Sequence, residues 1–283
     1  MERVVVGIDS ESPSATALDW VIERAGVIPM SVTLVTVQES PALGGKKAQE
    51  LLRDAAARLA SARPAVEIEV RLVDGISTGI ADALTEQAAG ADLLVVGHHR
   101  GRIVRSALAG ALPMQVAARA VCPVVIIPND WLRRFGKTIV GLEWDSASEA
   151  ALEFAARETA TFGRSLDIVH VEPDDGHPGD SRRVPPPDTT DARGEQLRAA
   201  METARAGHPG LAVRTFEASG DPDRILKAHA REAAMIVVGS HGAGATEAVL
   251  HGARAYDLMN WSQAPLCVVP PGWRGATLEE ESA

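Results

Sequence analysis

Gly239-Ser240-His241-Gly242-Ala243-Gly244 is followed, ten residues beyond Gly242, by Gly252-Ala253. Ile236-Val237-Val238 ahead of this loop reads as a buried strand, and the residues behind it as the start of a helix. Glycines let backbone N–H groups approach an anion closely, and a helix N-terminus adds further donors and a favourable dipole. The chemistry implied is phosphate binding. A tight turn that only returns the chain to its helix would use the same residues.

The chain repeats itself, and the repeat shows what positions that loop. Val5-Val6-Gly7-Ile8-Asp9, with Ser14 to Trp20 behind it, aligns with Ile139-Val140-Gly141-Leu142-Glu143 and Ser148 to Phe154 at an offset of 134. The same offset places Val35-Thr36-Val37 on Val169-His170-Val171. Further on, an offset of 142 places Leu94-Val95-Val96-Gly97 on Ile236-Val237-Val238-Gly239, Gly110-Ala111 on Gly252-Ala253, and Cys122-Pro123 on Ala264-Pro265. The extra residues fall within 173–194, a stretch with five prolines and no hydrophobic periodicity, which reads as a mobile loop.

Within the first half, strands are expected at Arg3–Ile8, Ser31–Val37, Val66–Val73, Leu93–Val96 and Val124–Ile127. Helices are expected at Ser14–Ala25, Ala48–Ala62, Ile80–Ala89 and Leu112–Ala120. Continuous apolar strands separated by amphipathic helices imply a mainly parallel sheet covered on both faces. Each half is therefore one doubly wound α/β domain of five strands, residues 1–130 and 137–271. Between them lies a connector, 131–136, whose Trp131, Leu132 and Phe135 suggest that it packs onto a domain, and residues 272–283 form an acidic tail. Ligands of such sheets bind beyond the carboxyl ends of the strands, at the switch point of strand order.

The 283 residues suit two domains, and 46% hydrophobic with 23% charged residues excludes a disordered chain. A net charge of -10 argues against a protein held on nucleic acid by its overall field. No apolar stretch reaches the roughly 20 residues of a membrane span, and Met1 to Asp9 does not read as a signal peptide. With only two cysteines, a cytoplasmic protein is expected. Arginine greatly outnumbers lysine, a bias of GC-rich coding.

Catalytic signals are weak. His98, His99, His241 and His251 lie in or beside the glycine loops, but no carboxylate or cysteine stands at metal-ligand spacing with them. His170 reads as a core-edge residue, and Cys122 and Cys267 as small buried hydrophobes that are not an aligned pair. Phosphoryl transfer ordinarily adds a lysine on the phosphates and a hydroxyl on Mg²⁺, and neither loop supplies them. No enzyme is expected, or at most very slow ATP hydrolysis.

The loop, the opening Gly7-Ile8-Asp9, the Cys122-Pro123-Val124-Val125 ending and the element order together resemble tandem universal stress protein domains. The resemblance implies two adenine nucleotide alpha hydrolase-like, Rossmann-like domains related by a pseudo-twofold axis. In that family the signature Gly-x2-Gly-x9-Gly-(Ser/Thr) holds the nucleotide, and Gly239, Gly242 and Gly252 match it, with Gly244 in the same loop and Ala253 at the hydroxyl position. The resemblance also implies base and ribose contacts from Asp9 or Glu143, and adenine packing on Val37 or Val171. In the first half Gly97, Gly110 and Ala111 align, but Arg100 replaces the second glycine and Pro113 removes a donor. Arg100 either obstructs the cradle or meets a phosphate directly. Losing the hydroxyl at Ala111 and Ala253 removes one hydrogen bond, about 1 kcal/mol.

The resemblance thus implies a stress-response regulatory module that binds ATP, with or without Mg²⁺, in domain 2 rather than domain 1. The alternative is a scaffold without nucleotide that acts through protein contacts. The last strands of paired family domains meet across a twofold axis, so 124–127 and 266–269 are expected to pair within the chain. Two such chains associating as a homodimer is a further expectation, with neither nucleic acid nor membrane as partner.

Overall fold

In the computed structural model the protein is described over residues 1–38, 41–100, 112–172, 187–240 and 257–275. The first repeat runs β1 (Glu2–Gly7), α1 (Ser12–Arg24), β2 (Met30–Gln38), α2 (Pro41–Ala62), β3 (Glu67–Asp74), α3 (Ile80–Gln87), β4 (Leu93–His98), α4 (Leu112–Arg119) and β5 (Val124–Pro128). The second runs β6 (Lys137–Leu142), α5 (Ser146–Thr161), β7 (Ser165–Glu172), α6 (Pro187–Gly207), β8 (Ala212–Ser219), α7 (Pro222–Ala230), β9 (Ala233–Gly239) and β10 (Leu266–Val269), with a helical segment over 257–261 before β10.

All described strands join one sheet, in the order β3-β2-β1-β4-β5-β10-β9-β6-β7-β8. Within each repeat the pairings are parallel, and β5 meets β10 antiparallel. Val125 faces Cys267 there, its own equivalent at the offset of 142, so the pseudo-twofold axis passes between them. The runs that read as continuous apolar strands are the central ones and are buried throughout, as in β5 and β10, because helices cover both faces. β3 and β8 are the sheet edges and leave more than half their positions in water.

One core joins α1, α2, α5 and α6 across both repeats, with Leu18, Leu52, Leu152 and Leu197 in it. The opposite face packs α3, α4, α7 and 257–261 in a second core through Leu84, Val116, Ala230 and Leu258.

Three expectations are corrected. Residues 187–194 are not loop: α6 starts at Pro187, whose fixed φ and missing N–H suit the first turn of a helix, while 173–186 lie outside the described residues. The connector packs only in part. Trp131 rests on the core, but Leu132 and Phe135 are 73% and 87% exposed, and the Arg133 guanidinium lies 4.8 Å above the Phe135 ring. α2 also begins at Pro41, earlier than Ala48, because Gly44 and Gly45 mask the helical signal without stopping the helix.

Candidate functional site

The strand order reverses between β1 and β4 in one repeat and between β6 and β9 in the other. A crevice outside the carboxyl ends belongs at each reversal. Asp9 follows β1, Val37 sits near the end of neighbouring β2, and Gly97 near the end of β4. Glu143, Val171 and Gly239 hold the same places around β6, β7 and β9. Both valines pack against the core on the α3 and α7 face. Six of the residues singled out from sequence thus share the two crevice edges, whereas Gly110, Ala111, Gly242, Gly244, Gly252 and Ala253 lie outside the described residues.

Gly97 and Gly239 are required by packing. A Cβ on Gly97 would stand 2.3 Å from the Pro13 carbonyl carbon, and one on Gly239 would stand 2.7 Å from that of Ala147. No side chain fits, because the first turns of α1 and α5 lie directly against these strand ends. Helix and strand are thereby held together at the crevice.

The acidic positions differ in what holds them. The Asp9 carboxylate accepts hydrogen bonds from the Glu11 N–H at 2.8 Å and the Ser14 hydroxyl at 2.9 Å, fixing the turn into α1. In the second repeat capping passes to Asp145, which accepts from the Ser148 N–H at 2.7 Å, and Ser148 Oγ accepts the Glu143 N–H at 2.8 Å. The buried serines Ser14 and Ser148 are equivalent at the offset of 134 and anchor both acidic residues. Sequence reading missed them, although their matched positions were visible.

Thr36 and His170 are a second matched pair. Thr36 Oγ1 donates to the Ile8 carbonyl at 2.8 Å, and His170 Nδ1 donates to the Leu142 carbonyl at the same distance, tying the ends of β1 and β6 to their neighbours. His170 does more than Thr36, because its Nε2 accepts from the Trp144 indole N–H at 3.2 Å. That pattern makes Nδ1 the donor and Nε2 the acceptor of the ring. Trp144 has φ 60°, a left-handed conformation that is rare for so bulky a residue. It replaces Ser10 of the first repeat and lines a cleft of about 700 Å³ between α5 and α6.

In the first repeat, the residues opening the loop after β4 serve the contact between repeats. Arg100 pairs with Asp130 and donates to the Trp261 carbonyl at 2.9 Å, while its backbone N–H donates to Asn129 Oδ1 at 3.0 Å. His98 Nε2 lies 3.2 Å from Asn260 Oδ1 of the second repeat, whereas His99 Nε2, 2.6 Å from Glu11 Oε2, stays within the first. Burial holds the His98 pKa below the ordinary imidazole value, against the Asn260 hydrogen bond.

Cys122 and Cys267 are free and buried, and burial pushes the Cys122 thiol up to about 11 and the Cys267 thiol in the same direction. Both are inert as nucleophiles at neutral pH. Among the described residues no group of three His, Cys, Asp or Glu is placed to hold a metal ion, and no helix is long and apolar enough to cross a membrane.

The fold and its paired crevices define a class: a tandem α/β protein of two doubly wound repeats joined edge to edge in one sheet. The universal stress protein family matches residues 1–128 and 134–270, and the chain belongs to that family. A universal stress protein of Mycolicibacterium smegmatis is 24% identical over 95% of this chain and 97% of its own length. The crystal structure of a universal stress protein from Archaeoglobus fulgidus superposes with a TM-score of 0.73 at 21% identity, covering 95% of this chain and 96% of that one. A universal stress protein solved in complex with cAMP matches 45% of this chain and 97% of its own, at 32% identity and a TM-score of 0.38.

Proposed function

We propose that this universal stress protein is a cytoplasmic stress-response module that binds ATP in its second repeat, and that it acts by binding rather than turnover. The observation that carries the reading is the run Gly239, Gly242 and Gly252, spaced as a phosphate cradle and following β9, the strand at the reversal of order beside β6. Glu143 and Val171 stand on the same crevice edge. They supply a carboxylate for the ribose and an apolar surface for the adenine.

The first repeat is the structural partner. Arg100, at its second glycine position, spends its guanidinium on Asp130 and the Trp261 carbonyl. That arginine is thereby drawn into the junction between repeats and away from a phosphate. The absence of a lysine from both loops argues against phosphoryl transfer.

Titration calorimetry of ATP and Mg²⁺ into nucleotide-stripped full-length protein tests the reading. One site per chain that is lost in Gly242→Val is the expected result. No heat with the stripped protein would overturn it and leave a scaffold that acts through protein contacts. Turnover that disappears in Gly242→Val would show an enzyme instead.

A further inference from the structure

The amino ends of β6, β7 and β9, opposite the crevice edge, border an open cleft of about 910 Å³. Four separate segments line it: Val27 from the turn between α1 and β2, the connector, the turn from α5 into β7 and the turn from α7 into β9. The connector is pressed against the last of these. A Cβ on Gly136 would stand 1.9 Å from the Glu232 carbonyl oxygen, so only glycine permits this approach. Arg133, Arg134, Lys137, Arg164 and Arg231 line the cleft, and Glu232 is the only acid among its described lining residues.

Two of the five cations are paired with carboxylates, one of which Arg214 shares. Lys137 Nζ lies 2.8 Å from the buried Asp167 carboxylate, and Arg133 Nη1 lies 2.5 Å from Glu23. The other three are not paired with a carboxylate among the described residues. Arg134 donates to the Arg231 carbonyl at 2.8 Å and to the Gln263 side-chain oxygen, both neutral acceptors. Arg164 lies 4.8 Å over the Phe162 ring. Burial lowers its pKa, and the fields of Arg24 and Arg133 add to the lowering, against the attraction of Glu158. A cation held in that state gains from an incoming anion. The exposed Arg231 completes the set.

A second depression of about 440 Å³ shares Arg134 and Arg231 with the first and adds Arg100, so those two guanidiniums stand between both. The first repeat lacks two of these cations, with Met30 at the position of Arg164 and Ala89 at that of Arg231. The basic cluster therefore does not come with the fold.

We propose that this cleft is an anion site for an oligophosphate chain, distinct from the crevice of the glycine loop. Guanidinium forks pair with phosphate oxygens in two-point contacts, and charges spread along a groove favour a linear anion over a compact one. The chain is a free oligophosphate, since the proposed function already places the nucleotide at the glycine loop.

Calorimetry with sodium tripolyphosphate on the full-length protein tests the assignment. In G242V, where the glycine cradle is removed, binding near one to one that is weakened about tenfold or more when R164Q/R231Q are added is the expected result, since each lost guanidinium removes charge-assisted hydrogen bonds. Should the double variant fail to fold, R231Q alone decides, because its side chain is exposed. In G242V, competition by ATP for the tripolyphosphate site would show that the cleft takes the phosphate tail of a nucleotide and would overturn the assignment to a free chain. No binding, binding that survives the arginine variants, or equally tight binding of monophosphate would overturn the proposal. Loss of ATP binding in G242V leaves this result untouched, so the two sites are tested separately.

Discussion

Arg24 and Glu158 stand at equivalent positions of the two repeats, 134 residues apart, and Arg24 Nη1 donates to both Glu158 carboxylate oxygens at 2.8 and 2.9 Å. The pair is buried, and it lies where Val125 and Cys267 also meet their equivalents, on the pseudo-twofold axis. Glu2 grips the rest of the guanidinium at 2.7 and 2.8 Å, and the Trp20 and Phe162 rings stack at 5.3 Å. Burial opposes the charge, but the two carboxylates together hold the Arg24 pKa above its ordinary value. Pairing of two first repeats would set Arg24 against Arg24, and pairing of two second repeats Glu158 against Glu158. Each repeat is therefore complementary to the other and not to itself.

R24E and E158R each leave a buried, like-charged pair and are expected to lose about 3 to 5 kcal/mol of stability by denaturant unfolding. R24E/E158R restores opposite charges and is expected to recover most of the loss. Mixing the two single variants gives each repeat a complement in the other chain. Native mass spectrometry should then show an exchanged dimer, absent from either variant alone. Single variants as stable as the parent would show that these charges do not select the pairing.

Gly97→Ala and Gly239→Ala force a Cβ against the backbone of Pro13 and Ala147. Each is expected to cost about 1 to 3 kcal/mol, the usual range for overpacking. In Gly141→Ala the new Cβ would meet its nearest atoms at 3.8 Å, an ordinary contact, so that variant is the control. Equal denaturation midpoints for Gly239→Ala and Gly141→Ala would show that α5 does not rest on β9 as described.

His170→Thr gives the second repeat the tether that Thr36 supplies in the first. The fold should be retained, with a loss of about 1 kcal/mol from the missing Trp144 hydrogen bond. Trp144 then loses its anchor, and its emission, isolated by subtracting the spectra of W144F variants, should shift to the red. An unchanged spectrum would mean that His170 does not hold the indole.

His98 and His229 both have folded-state pKa values lowered by burial, with Lys137 adding to the effect at His229. The unfolded chain then binds more protons below about pH 6.5. Stability should be full above that pH and decline as pH falls toward the lowered folded-state values. His98→Gln keeps a donor for Asn260 without the titration. Denaturation midpoints at pH 7.5 and 5.5 should differ less in that variant than in the parent, with His229 carrying the remainder. A variant as acid-sensitive as the parent would remove His98 from this account.

The repeat, the parallel sheet and the element order were legible in the chain, because a strand covered on both faces must be apolar throughout and a duplicated domain keeps its spacings. Leu93 to Val96 and Val124 to Ile127 announce their burial by themselves. The crevice edges followed, since Asp9 and Glu143 come directly after such strands. Tertiary structure decided what faces what. Arg24 ends α1 and Glu158 lies in the last turn of α5, charged residues whose burial no period announces, and the antiparallel meeting of β5 and β10 brings them into one buried contact. Gly97 and Gly239 are legible as loop glycines, but the backbone that closes on them belongs to another element. Arg133, Arg164 and Arg231 are far apart in the chain and share a cleft only because three strands begin at one edge. Local periodicity records whether a residue is buried by its own element. A pairing between distant segments leaves no period, so it exists only once the sheet has set its order.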